Sequence, residues 1–234
     1  MIVPMKEIVV TGIELRNWLL KLANNLMEHE GYGDASHDYN HIERVMALAD
    51  TIQAQEGGDL PTIWAAVAFH DLGQERERLH GGDHALISAD MAAEWLTNTP
   101  FPQQCISAAQ QAIREHRMTG GILPTTLEGR ILYDADKIDC LGAIGIARLF
   151  CITGRYNQKV YSILPPDVTQ PVDPLLVRTL RRRPDYSPSI EFQLMFGDLY
   201  KRMTTSAGRE LARERFEYMK EFFKRLRLEV EGEL

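Results

Sequence analysis

Apolar residues recur at three- and four-residue intervals along most of the chain, and that spacing predicts helices. Leu15, Trp18, Leu19, Leu22 and Leu26 form one stripe, ended by a Gly31-Tyr32-Gly33 break. A second stripe, Ile42, Val45, Met46, Ala49 and Ile52, follows Asn40; with Glu43 three residues on, Asn40 is the expected N-cap of a capping box. Pro61 stands near the start of a third helix, where proline is tolerated. From Ile63 to Phe69 that helix is apolar on every face, the mark of a buried central helix, and Gly73 is its expected C-cap. Further helices are predicted over 83–97 and 103–117. Thr125 and Glu128 predict another capping box, opening a helix that carries Leu127, Ile131, Leu132, Asp136 and Ile138. It runs through the small residues Gly142, Ala143, Gly145 and Ala147, which permit close approach of a neighbouring helix, to an end at Gly154.

Residues 155–188 break the pattern and hold prolines 165, 166, 171, 174, 184 and 188. An irregular stretch of this length is a lid, a specificity loop or a passive connector. Two amphipathic helices then close the chain. Phe192, Met195, Phe196, Leu199 and Met203 line the first; Leu211, the stem of Arg215, Phe216, Met219, Phe222, Phe223 and Leu226 line the second. No internal repeat and no period-two alternation stands out, so the expected fold class is all-α.

A chain of 234 residues can bury one sizeable core, and a single domain over 1–234 is the default expectation. No apolar run approaches the roughly 20 residues that span a bilayer, and MIVPMKEIVV lacks the basic flank and cleavage site of a secretory signal. Cys105, Cys140 and Cys151 are odd in number and form no CxxC pair, which suits reduced thiols in the cytoplasm. The net charge of -7 argues against extended nucleic acid and against an anionic membrane as partners. A phosphorylated substrate would need local positive charge, from a metal or from nearby Arg and Lys.

Four polar positions interrupt the apolar pattern where a charge is costly. His41 opens the second helix on its core side. His70-Asp71 closes the fully apolar helix, where a carboxylate opposes the helix dipole by roughly 0.3–1 kcal/mol and burial costs more unless it is paired. Asp136 lies in the run Tyr-Asp-Ala-Asp-Lys. Two imidazoles and two carboxylates suit a divalent ion that activates water for attack on phosphorus; each residue alone is also compatible with a hydrogen-bonded core position.

The order His, then His-Asp, then Asp resembles the HD-domain superfamily of metal-dependent phosphohydrolases, in particular its small stand-alone bacterial members. The segments that carry the resemblance are SHDYNHIERV (36–45), AAVAFHDLG (65–73), HALISAD (84–90), AIREHR (112–117), DADKIDCLGAIGIARLF (134–150) and RELARERFEYMKEFF (209–223). The resemblance implies an HD-type helical bundle with its metal-site core at about 36–154, a proline-rich loop at 155–188, and C-terminal helices of 189–230 packed on that core. It implies His41, His70, Asp71 and Asp136 as ligands of one divalent metal ion, among Mn, Fe, Mg, Ni, Co and Zn. His37-Asp38 is a second His-Asp doublet; in the family's HDxxH context His41 is the ligand, and His37 and Asp38 face the substrate or support the site. Asp71 can also orient or deprotonate the attacking water.

Glu75, four residues after Asp71, is a candidate general acid or base, or part of a solvated charged loop. His84 and His116 fall where two-metal HD enzymes place further histidines. Second-metal ligation, phosphate binding and leaving-group protonation are all open to them. Arg44, Arg117 and Lys137 adjoin the motifs and are candidate phosphate contacts or structural ion pairs. Arg181-Arg182-Arg183 is a solvated face or an anion contact, and Cys140 a small buried hydrophobe. The function expected is hydrolysis of small phosphorylated molecules, nucleotides foremost, by a triphosphate pyrophosphohydrolase or a nucleotidase that works as a monomer or homodimer. The rivals are a cyclic-nucleotide phosphodiesterase and a non-catalytic regulatory HD module.

Overall fold

The computed structural model describes residues 12–30, 39–99, 101–117, 123–164, 168, 177 and 179–234. The fold is all-α, and the described residues contain no strand. In chain order the helices are α1 (Gly12–Glu30), α2 (Tyr39–Glu56), α3 (Leu60–Phe69), α4 (Gln74–His80), α5 (His84–Leu96), α6 (Gln103–Glu115), α7 (Leu127–Asp139), α8 (Gly142–Arg155), the single turn α9 (Pro188–Glu191) and α10 (Ser206–Glu231). No described helix is long and apolar enough to cross a membrane.

The chain forms two compact units: residues 1–136 with 204–207, and residues 137–203 with 208–234. In the first, α3 is the centre, and α1, α2, α5 and α6 all pack on it. Every residue from Thr62 to Phe69 is buried, as expected of a helix apolar on every face. Asp59 caps it, accepting from the Thr62 amide at 3.0 Å and from the Thr62 hydroxyl at 2.6 Å. Asp50 of α2 ties the first three helices together by accepting from Arg16 Nε at 2.7 Å and from Trp64 Nε1 at 2.6 Å.

Several helix ends differ from expectation. Asn40 lies inside α2, which already includes Tyr39, so it is not a cap. Thr126, rather than Thr125, caps α7 by accepting from the Gly129 amide at 3.1 Å; Thr125 instead donates to Glu115 from its amide and hydroxyl. Glu128 accepts from the Asp59 amide at 3.0 Å instead of closing a capping box. Gly73 has an ordinary φ of -85° and precedes α4. Its lack of a side chain serves close approach: a Cβ there would stand 2.5 Å from the His84 carbonyl oxygen and 2.9 Å from the Ser88 amide. The charged run after it, Gln74–His80, is helical rather than a loop.

In the second unit the predicted continuous helix breaks at Cys140–Leu141, and α8 resumes at Gly142, whose φ is +72°. The close approach expected of its small residues is made to α10. A Cβ on Gly142 would meet Arg215 Cγ at 3.2 Å, and one on Gly145 would lie 3.5 Å from Met219 Sδ. α8 continues past Gly154 to Arg155, and Asn157, at φ 50°, takes the left-handed turn that ends it. The first C-terminal stripe is not one α-helix: α9 passes into a π-helical turn at Phe192–Phe196 and a 3₁₀ turn at Leu199–Arg202. That irregular backbone stacks Phe192 on Phe216 and Phe223, with ring centroids 5.7 and 4.7 Å apart, and Tyr200 on Phe216 at 4.9 Å. Phe216, Met219 and Phe223 of α10 are buried, as their spacing predicts.

Candidate metal centre

Four imidazoles stand in a row inside the first unit. His41 comes from the first turn of α2, His70 from the residue after α3, His116 from the residue after α6, and His84 from the start of α5. Ring centroids are 5.4 Å apart from His41 to His70, 5.3 Å from His70 to His116, and 5.4 Å from His116 to His84. Asp71 lies against the whole row. Its Oδ2 is 3.6 Å from His41 Nε2 and 3.5 Å from His70 Nε2, while its Oδ1 is 3.8 Å from His84 Nε2 and 3.7 Å from His116 Nε2. Asp136 of α7 closes the first end, its Oδ1 being 3.5 Å from His41 Nε2 and 3.9 Å from His70 Nε2. His41, His70, Asp71, His116 and Asp136 are all buried, and His84 is partly so.

For three of the rings a hydrogen bond decides which nitrogen faces inward. His70 Nδ1 lies 2.8 Å from the Val67 carbonyl, and His116 Nδ1 lies 2.6 Å from the Ile113 carbonyl. A carbonyl only accepts, so both Nδ1 atoms carry the proton. In the neutral ring Nε2 then presents a lone pair to Asp71. His84 is oriented the same way by a side chain, its Nδ1 donating to Glu77 Oε2 at 2.7 Å.

Imidazole lone pairs and two buried carboxylates thus converge, a donor set that suits a divalent cation. Bonds of about 2.1 Å to one ion put neighbouring donor atoms about 3.0–3.4 Å apart. The His41–His70 separation of 3.3 Å falls in that range, and the His–Asp separations of 3.5–3.9 Å lie just outside it. His41, His70 and Asp71 therefore form one set able to hold a metal, with Asp136 beside it; Asp71, His84 and His116 form another.

The remaining candidates are arranged differently. Glu75 is paired with the Arg78 guanidinium, whose hydrogen bonds hold its carboxyl below the usual value. Arg117 reaches Asp83 at 2.9 Å and Glu77 at 3.8 Å, so its charge is shared with two carboxylates. Arg44 lies one turn after His41 on α2, and Lys137 follows Asp136 on α7; both are half-buried. His37 and Asp38 lie outside the described residues. In the second unit Arg181 is committed to Glu191 and Arg183 to Asp185, at 2.7 Å for the latter. Cys140 is half-buried, and the Arg148 guanidinium reaches its sulfur at 3.8 Å. Glu77 escaped the sequence reading: its contact with His84 crosses the turn between two helices, and it sits among other charged residues that mask it.

Residues 38–141, which contain both sets, match the HD domain family. This chain carries an HD domain. Its likeness to whole proteins extends well beyond those residues. The uncharacterized protein YpgQ of Bacillus subtilis is 24% identical over 232 residues, covering 94% of this chain and 93% of YpgQ. The crystal structure of an HD-superfamily hydrolase from Bacillus thuringiensis superposes with a TM-score of 0.70 at 25% identity, over 94% of this chain and 99% of that one. A predicted HD-superfamily hydrolase from an uncultured Thermotogales bacterium superposes at 0.61 with 27% identity, over 93% and 92%. YpgQ, solved in complex with ADP, superposes at 0.68 with 24% identity, over 93% and 95%. Hydrolases of the HD superfamily are in general metal-dependent phosphohydrolases.

Proposed function

We propose that this HD-domain protein is a metal-dependent phosphohydrolase of small phosphorylated molecules, nucleotides foremost, acting as a nucleoside triphosphate pyrophosphohydrolase or a nucleotidase. The observation that carries the reading is Asp71, buried between two pairs of imidazoles whose inner nitrogens face its two oxygens. Support for a nucleotide comes from YpgQ, a relative whose structure holds ADP.

In this reading His41, His70, Asp71 and Asp136 hold one divalent ion. Such an ion makes water more acidic and neutralises charge on phosphoryl oxygens. The residues of the chain do the rest. Hydrolysis forms a bond from water oxygen to phosphorus, breaks the bridging P–O bond, and requires a proton for the departing oxygen. Asp71 accepts a hydrogen bond from the attacking water and orients it. His84 and His116 present Nε2 beside it, so each can take a proton there and later give it to the leaving group. With a loose transition state, positioning and charge supply most of the rate. Arg44 and Lys137 are the cations proposed to meet phosphate, together with Arg117 to the extent that Asp83 and Glu77 leave its charge available; His37 and Asp38 belong on the substrate side. Free cysteines suit a cytoplasmic setting.

The test uses metal-stripped full-length protein reloaded with Mn²⁺, Mg²⁺, Fe²⁺, Co²⁺, Ni²⁺ or Zn²⁺. Deoxynucleoside and nucleoside triphosphates, monophosphates and cyclic nucleotides form the panel, with phosphate and pyrophosphate read separately. Metal-dependent release that disappears in Asp71→Ala is the expected result. Pyrophosphate release would assign attack at the alpha phosphorus. No turnover with any ion at stoichiometric occupancy would overturn the reading.

A further inference from the structure

Three histidines of the row have their inward nitrogen set by a hydrogen bond on the outward one, but not by the same kind of group. For His70 and His116 the acceptor is a backbone carbonyl, which no side-chain change removes. For His84 it is the Glu77 carboxylate, 2.7 Å away. Glu77 stands on α4 and His84 opens α5. The two glycines between these helices, Gly81 at φ 77° and Gly82 at φ 104°, take backbone conformations that turn the chain back sharply enough for the two side chains to meet. Asp83 fixes the same corner twice, accepting from the Ala85 amide at 2.8 Å and from Arg117 at 2.9 Å. Arg117 in turn lies 3.8 Å from the other oxygen of Glu77. Arg117, Glu77, His84 and Asp71 therefore alternate in chemistry as cation, carboxylate, imidazole and carboxylate, from the partly exposed end inward.

We propose that Glu77 is the positioning residue for His84. Its carboxylate holds the Nδ1–H tautomer and the ring plane, so that the Nε2 lone pair is aimed at Asp71, and Arg117 steadies the carboxylate that does so. The tautomer assignment stands on geometry alone; its consequence for turnover rests on the phosphohydrolase reading above.

Long-range ¹H–¹⁵N correlation spectra of histidine-labelled full-length protein, with and without Mg²⁺, test it. The His84 signals among the seven histidines are assigned by their loss in His84→Asn. Glu77→Gln keeps an acceptor oxygen and should keep the Nδ1–H tautomer. Glu77→Met, similar in size but without an acceptor, should move His84 to a mixture of tautomers. His70 and His116, anchored on backbone, should be unchanged and so report that the fold is intact; if Glu77→Met disturbs them, Glu77→Ala provides the same comparison with less bulk. In turnover, Glu77→Met should lower kcat by about ten- to a hundredfold, with a smaller change in KM and recovery of most of the loss in Glu77→Gln. A pure Nδ1–H tautomer for His84 in metal-free Glu77→Met would overturn the proposal. A tautomer shift in a protein that hydrolyses no phosphate compound would uphold the positioning role and sink the phosphohydrolase reading. Full turnover with an unmoved tautomer would do the opposite.

Discussion

Replacement of Asp134 by alanine should destabilise the protein by about 2–3 kcal/mol. Asp134 is fully buried on α7, two residues before Asp136 and therefore on a different face of the helix. It accepts from the Thr204 amide at 2.8 Å, the Thr204 hydroxyl at 3.0 Å, the Thr205 amide at 2.8 Å and the Thr205 hydroxyl at 2.6 Å. Burial pushes its carboxyl above the usual range even though these donors pull it down. Alanine removes the cost of the buried charge but leaves the two donors of Thr205, itself buried, without an acceptor. At about 1–2 kcal/mol for each stranded donor the loss is about 2–4 kcal/mol, partly offset by the relieved desolvation. Thr204 is half-buried and can turn to water, so it adds little. For a chain of this size the net value corresponds to a melting temperature lower by about 4–12 °C. Urea titration monitored by circular dichroism measures it. Asn, with one acceptor oxygen left, should lose about half as much. A double-mutant cycle with Thr205→Val should show coupling of at least about 1 kcal/mol. An Asp134→Ala protein within about 0.5 kcal/mol of wild type, or strict additivity with Thr205→Val, would refute the reasoning.

Two further outcomes follow from the helix ends. Gly73→Ala should cost about 1–3 kcal/mol through overpacking, because the new methyl would need space now taken by the backbone of His84 and Ser88; it should also weaken Mn²⁺ binding in calorimetric titration, and unchanged stability and affinity would count against the close approach. Asp59→Ala should cost about 1 kcal/mol as a lost cap, read in the same urea assay. Burial raises the Asp59 carboxyl, but the hydrogen bonds from Thr62 outweigh it and leave the folded-state pKa below the ordinary value. Its stabilising contribution is therefore complete above the unfolded-state pKa and is lost as pH falls through the lower folded value. Asp59→Asn should keep most of the cap while removing that acid dependence, and an unchanged acid limb in Asp59→Asn would contradict the assignment.

The pattern of side chains revealed the helices wherever burial is continuous. Ile63–Phe69 is apolar on all faces because α3 is surrounded, and the charges that interrupt such stretches, His70-Asp71 and Asp136, are those gathered at the candidate metal centre. Helix ends were less legible, since their partners are remote in sequence. Thr125 and Thr126 are equivalent as local caps until Glu115 claims the first. Gly73 reads as a C-cap unless the backbone of α5 is known to press against it. The stripe from Phe192 to Met203 has helical spacing, yet its backbone runs through π and 3₁₀ turns, with Phe192 and Tyr200 stacked on rings of α10. Glu77 had no local signature at all.

The tie between Asp134 and Thr204-Thr205 also bears on the order in which the chain is made. The unit that contains the candidate metal centre is not contiguous: residues 204–207 belong to it, and there the Ala207 amide donates to Glu56 at 2.7 Å as well. On a ribosome, α7 emerges long before the residues that satisfy its buried carboxylate, and closing a loop of about 70 residues adds an entropic cost that the local helices do not bear. The HD match ends at residue 141, but a fragment cut there would leave Asp134 without its threonine donors and Glu56 without the amide it caps. The stretch of sequence that marks the family is thus shorter than the piece of protein that can satisfy its own interior.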